Sequence, residues 1–309
     1  EDGSLDFGDG TFVIIPPQVA TVRPDLGPNI GTAEFQTTHT YQAISDYKVN
    51  YFERDRSGAI LNMFNPGDTP FSAYVLIKSQ SIQNCNHYPR LNFSPVDKTC
   101  PGVAFYHNPG AVDADGDSLS YELTVPAKNS STPVDGYLSP ASQQFYVNFN
   151  QGNEDKDSQP AFFVDAKTGL ITWDAPGRIG DYNIAFKILE WRTNPSSGTP
   201  ELISVTIRDM QITVEDCVNG RPELIIPDEL CVVAGTLIDA QVFGFDPENN
   251  KVKIEISSDA FSLPDGPPTI YPSVEVFRNS VPYDSVRFKW QTNCSHIRDQ
   301  AYQVVVKIT

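Results

Sequence analysis

The chain has 309 residues, a formal net charge of −17, 18 Phe and 13 Tyr. The acidity excludes a nucleic-acid-binding surface, since phosphate needs neutralising Lys and Arg. The aromatic content, spread along the whole length, excludes a disordered chain, because it supplies enough apolar surface to offset ordering entropy.

In chain order, the first motif is Leu5-Asp-Phe-Gly-Asp-Gly-Thr11, whose Asp6 and Asp9 suit a tight turn. The apolar run 12–17 is strand-sized. His39-Thr-Tyr41 precedes the alternating segment 46–52, and further alternation follows at 118–125, 180–188, 251–256, 285–290 and 301–308. No stretch shows three turns of apolar spacing at 3.6 residues, and no run is long enough for a membrane span. Short strands between Pro and Gly clusters imply an all-β fold, namely tandem immunoglobulin-like β-sandwiches arranged end to end.

An internal repeat divides the chain. Cys85, Pro89, Leu91, Pro95, Cys100, Asp113-Ala-Asp115-Gly-Asp117, Trp173 and Tyr182 recur in the same order as Cys217, Pro222, Leu224, Pro227, Cys231, Asp246-Pro-Glu248-Asn-Asn250, Trp290 and Tyr302. The expected modules are 85–216 and 217–309, preceded by a different module over 1–84. The chain starts without Met and stops inside a strand-like run, as expected of a piece of a longer protein.

Several of these motifs resemble a known group. Phe-Gly-Asp-Gly-Thr11 with His39-Thr-Tyr41 is similar to the turn and strand of PKD-type modules, which makes 1–84 a PKD-like domain truncated at its N-terminus. The two repeats are similar to cadherin-like modules. Together with 51–62, Phe105-Tyr-His-Asn-Pro-Gly-Ala111, Ile188-Leu-Glu-Trp-Arg192 and Trp290-Gln-Thr-Asn-Cys-Ser-His296, the pattern resembles the N-terminal region of large Bacteroidetes surface proteins associated with gliding motility. The resemblance implies export by the type IX secretion system and an extracellular, cell-surface location.

Alternate carboxylates around a glycine, as in Asp113, Asp115 and Asp117, can gather hard oxygen ligands for Ca²⁺. The equivalent Asp246, Glu248 and Asn250 carry less charge. The cadherin-like resemblance adds Asp174 from the preceding loop, with Asp216 and Asn219 from the linker. The competing reading of the same residues is a plain Asx turn. His39, His87, His107 and His296 lack metal-ligand spacing. No nucleophile elbow or phosphate loop is present, so no catalysis is expected. Trp173 and Trp290, at equivalent repeat positions, are expected in cores, as is Trp191 at a strand end. His39 and His107 are expected to bond backbone beside turns.

Five widely spaced cysteines without a Cys-x-x-Cys pair read as disulfides. Placing strand ends at the poles of a seven-stranded sandwich favours Cys100 with Cys217 and Cys231 with Cys294, leaving Cys85. The alternative follows the repeat, Cys85 with Cys100 and Cys217 with Cys231, leaving Cys294. Asp117-Ser118-Leu119 and Asp284-Ser285-Val286 resemble the O-glycosylation signal of the same phylum.

The expected role is a non-catalytic structural or adhesive segment of a large surface protein. Its expected partners are other domains of the same polypeptide, cell-surface proteins or polysaccharide, without nucleic acid or membrane insertion. The alternatives are a carbohydrate-binding or docking module of a secreted enzyme, and a subunit of an outer-membrane assembly.

Overall fold

The computed structural model describes every residue except 1, 2, 17, 25, 28, 29, 80–84, 218, 219, 228 and 299. The fold is all-β. Among the described residues there are five short 3-10 turns and no α-helix, and no helix is long and apolar enough to cross a membrane. Strands form where the sequence alternates: Asp46–Glu53, Ser118–Thr124, Ile254–Ser258, Asp284–Gln291 and Val304–Ile308. In such segments every second side chain points to the same face, so alternation buries one row.

The chain forms two compact units. The first comprises Glu1–Pro89, Ser94–Pro109 and Asp117–Asp216; the second comprises Arg90–Phe93, Gly110–Gly116 and Cys217–Thr309.

The first unit is built on one large sheet. Its strands run in the order Ser118–Thr124, Gly180–Thr193, Pro200–Val214, Phe71–Lys78, Asp46–Glu53, Ser4–Asp6 and Phe12–Ile14, with Val96–Thr99 parallel to the end of Pro200–Val214. Segments 1–84 and 85–216 therefore contribute to the same sheet, joined where Ser204, Val205 and Thr206 lie opposite Ile77, Leu76 and Val75. A smaller sheet of Phe162–Val164, Ile171–Trp173 and Phe105–His107 packs its Trp173 edge-on to Tyr182 of the large sheet, with ring centroids 4.9 Å apart. Both rings are fully buried.

The hairpin Gly180–Thr193/Pro200–Val214 is longer than the segment 180–188 read from alternation, and its register shifts between Glu190 and Trp191. Tyr182, Asn183, Ile184, Ala185 and Phe186 are all buried in succession. A strand covered on both faces shows no alternation to read.

A buried polar clamp binds the parts of this unit together. Arg56 Nη2 donates to Asp209 Oδ2 at 2.8 Å and to the Ala127 carbonyl at 2.7 Å, and Arg56 Nε donates to the Pro70 carbonyl at 3.0 Å. Arg56 Nη1 donates to Asn183 Oδ1. Asn183 Nδ2 in turn donates to Asp209 Oδ1, while Asn62 bonds the Asn183 backbone N–H and carbonyl. Only 3% and 2% of the Arg56 and Asp209 side chains are exposed. Burial pushes the Asp209 carboxyl above its ordinary pKa, and Arg56 opposes that shift.

The second unit has a sheet of Glu223–Ile225, Leu237–Phe245, Asp284–Gln291 and Thr269–Tyr271, with the ladder Ile254–Ser258/Val304–Ile308. Val286, Phe288 and Trp290 alternate into its core, where Val286 meets Val242, Ile254 and Ile256. The ladder Arg90–Leu91/Ala111–Val112 belongs to this unit. Asn92 Nδ2 donates to Ser257 Oγ at 2.8 Å, and Ser257 Oγ donates to the Gly110 carbonyl at 3.3 Å. Gly110 has φ +60°, and a Cβ there would lie 2.7 Å from the Phe93 ring, so both backbone and space require glycine.

Candidate functional site

The loop 113–117 is the strongest candidate. One carboxylate oxygen from each of Asp113, Asp115 and Asp117 lies within 4.8 Å of the others, the one such group among the described residues. Asp113 is only 4% exposed. The Asp115 N–H donates to Asp113 Oδ1 at 2.9 Å, so the loop is also an Asx turn. Gly116, at φ +79°, supplies the left-handed residue the bend needs.

Arg192 supplies the counter-charge, which the sequence reading missed. Its Nε donates to Asp117 Oδ1 at 2.9 Å, and its Nη2 donates to Asp117 Oδ2 at 2.5 Å and to Asn86 Oδ1. Asn86 Nδ2 donates to Glu190 Oε1 at 2.9 Å, and Ser204 Oγ donates to Glu190 Oε2. Glu190 is fully buried. The only signal in the sequence is the charged pair flanking Trp191, since Arg192 and Asp117 are 75 positions apart. Arg192 offsets the charge of Asp117, and Asp115 is the exposed member of the three.

The second acidic loop is arranged differently. Asp246 Oδ1 accepts from the Glu248 N–H at 2.9 Å, the Asn250 N–H at 3.0 Å and the Asn250 side-chain amide at 3.2 Å. Glu248 Oε2 accepts from the Gly220 N–H at 3.0 Å. Asp174 Oδ1 accepts from the Glu154 N–H at 3.0 Å. Asp216 is exposed, and Asn219 lies outside the described residues. Among the described carboxylates, Asp174, Asp216, Asp246 and Glu248 are not part of the group at 113–117.

The Asp6 and Asp9 motif forms Asx turns: the Gly8 N–H donates to Asp6 Oδ1 at 2.8 Å and the Thr11 N–H to Asp9 Oδ1 at 3.0 Å. The Thr11 and His39 side chains hold the Asp9 carboxyl down at about 2. Carboxylates stand at both imidazoles for which backbone partners were expected. His39 Nε2 meets Asp9 Oδ2 at 2.8 Å, and His107 Nδ1 meets Asp97 Oδ2 at 3.0 Å. Trp173 and Trp290 are buried. Trp191 is half-buried and donates to Ser120 Oγ at 2.8 Å.

Cys100 and Cys217 are disulfide-bonded. Thr99 pairs with Val214, and the Glu215 N–H donates to the Thr99 carbonyl at 3.0 Å, which brings the following residues of both segments together. The expected Cys231–Cys294 pair is corrected: both are free and exposed, as is Cys85. Leu237 and Gln291 do lie opposite one another, as the strand-end argument required. Cys294, however, enters a 3-10 turn capped by Asn293, whose His296 packs on Trp290. That turn draws the chain away from the strand end.

Ser118 is exposed at the start of its strand, and Ser285 is half-buried and accepts from Gln241 Nε2 at 3.4 Å. The preceding acids are both held by arginine, Asp117 by Arg192 and Asp284 by Arg278 Nε at 2.9 Å.

No family model and no curated protein matches the chain.

Proposed function

We propose that the chain is a non-catalytic extracellular segment, structural or adhesive, of a large cell-surface protein exported by the type IX route and built from immunoglobulin-like β-sandwiches. The observation that carries this reading is the buried Arg56–Asp209 clamp beneath a sheet shared by 1–84 and 85–216. A body of some two hundred residues held by a continuous ladder and an internal ion pair suits bearing load. The Cys100–Cys217 bond supports an oxidising compartment. The export route rests on the resemblance in the sequence motifs. Antibody labelling of intact producing cells tests the location: labelling that requires permeabilisation contradicts it. Hydrolysis of any polysaccharide by the purified chain contradicts the absence of catalysis.

We also propose Ca²⁺ at loop 113–117, on the clustering of Asp113, Asp115 and Asp117 and the burial of Asp113. Carboxylate oxygens are the ligands this ion takes. Asp115, the exposed member, is open to solvent, and Asp117 must share its charge between the ion and Arg192. Calorimetric titration with CaCl₂ tests it, and absence of binding at millimolar calcium rejects the site.

A further inference from the structure

The first unit contains a cleft of about 510 Å³ whose walls include Tyr41, Tyr47 and Tyr88, with Ile44 and Ile77. That volume lies in the range of small-molecule sites, about 300–1,000 Å³. Two of the rings are fixed in place. Tyr41 donates its hydroxyl to the Phe7 carbonyl at 2.9 Å and Tyr47 to the Ala43 carbonyl at 2.6 Å. Their rings stack with centroids 3.9 Å apart. A guest meets walls that are already ordered, so less entropy is lost on binding.

The electrical character of the cleft is one-sided. Among the described residues, none that lines it carries a charge. The charges that act on its walls are carboxylates: burial, with Asp9 and Asp6 adding, pushes the Tyr41 phenol up to about 12, and burial with Glu190 pushes Tyr88 up. The Tyr41 and Tyr88 phenols therefore stay neutral at physiological pH, and the aromatic faces with the nearby carboxylates favour a positive guest. The imidazole of His39, edge-on to Tyr41, pairs with Asp9, and three further cations near these walls have partners of their own. Lys78 pairs with Asp46, Lys48 donates to the Ser130 carbonyl at 2.8 Å, and Arg192, behind the lining residue Asn86, is held by Asp117. An anionic guest is disfavoured here, and a cation with an apolar shell gains from both the rings and the field.

We propose that this cleft binds a small organic cation of the quaternary ammonium class. The proposal goes beyond the structural role and stands or falls without it.

The test compares choline with 3,3-dimethylbutan-1-ol, its uncharged isostere, by NMR titration of the full chain. Choline is expected to shift the tyrosine ring signals saturably and to bind about tenfold more tightly than the isostere, as a cation–π contribution of this size implies. Tyr88→Ala is expected to abolish the response, and Tyr88→Phe, which keeps the ring, to retain it, both with unchanged melting. If Tyr88→Ala fails to fold, Tyr88→Leu, which removes the aromatic face but keeps an apolar side chain, serves instead and is expected to abolish the response. Equal binding of the isostere reduces the cleft to an apolar hollow and overturns the proposal. Binding of cellobiose without binding of choline overturns it in favour of a glycan, and no choline binding by the folded wild type overturns it outright.

Discussion

Loops 113–117 and 246–250 occupy the same place in the sequence repeat, yet their acids do different work. In the first, three carboxylates crowd within 4.8 Å and a guanidinium from Arg192 grips one of them. In the second, one oxygen of Asp246 takes three N–H donors from Glu248 and Asn250, and Glu248 turns to the Gly220 N–H. The chemistry of the replacements accounts for this. Asn250 stands where Asp117 does and brings donors that satisfy Asp246. Glu248 is one methylene longer than Asp115 and reaches a backbone donor. A repeated position thus preserves a turn while its acids take different partners.

The comparison can be scaled, sharpened or broken by substitution. The largest expected effect lies in neither loop. Arg56→Ala removes the cation of a buried pair and leaves Asp209 without its counter-charge, so denaturant unfolding should show a loss of about 3–5 kcal/mol. That figure sets the scale for the loops. Next, Asp246→Ala should cost about 1–3 kcal/mol, because the three N–H groups it serves lose their acceptor, with no change in the calcium response. Asp113→Asn should abolish any rise in melting temperature on adding CaCl₂. A calcium response that survives Asp113→Asn but vanishes in Asp246→Ala would invert the assignment of the two loops. A smaller effect is expected from Arg192→Gln, which releases Asp117: calcium affinity should rise several-fold by calorimetry, while stability without calcium falls by about 1 kcal/mol.

The smallest effect concerns the Asp9 turn, an acid engaged only in structure. Its carboxyl titrates at about 2 when folded, against an ordinary 3.8. Because the folded value is depressed, its contribution is fully present above pH 3.8 and is lost as the pH falls through about 2. Carboxyl-resolved NMR should find this low midpoint in the wild type. In Thr11→Val the midpoint should move towards 3.8, because that change removes the hydroxyl bond to Asp9.

The strand at 284–291 was legible because one face of it is buried and the other is not. The hairpin 180–214 was legible only at its start, since a strand covered on both faces carries no period. Arg56 was invisible because its partners at 70, 127, 183 and 209 come from four separate stretches, and nothing local marks a surface-type residue for burial. The three-aspartate loop was legible because its spacing is its geometry, whereas Arg192 reaches it only through the sheet pairing of Ser118 with Trp191. Cys294 was misplaced because strand ends were known but the 3-10 turn after Gln291 was not. The tyrosine cleft was not legible either, since Tyr41 and Tyr88 are brought together only by the fold.

The proposed surface role is tested most directly by attachment of the producing cells to a solid surface after in-frame deletion of this segment. The account predicts that attachment falls, that the wild-type segment restores it, and that a segment carrying Arg56→Ala restores it poorly because its first unit is weakened. Unchanged attachment together with loss of breakdown of an extracellular polysaccharide would contradict the structural role and point to a module serving an enzyme.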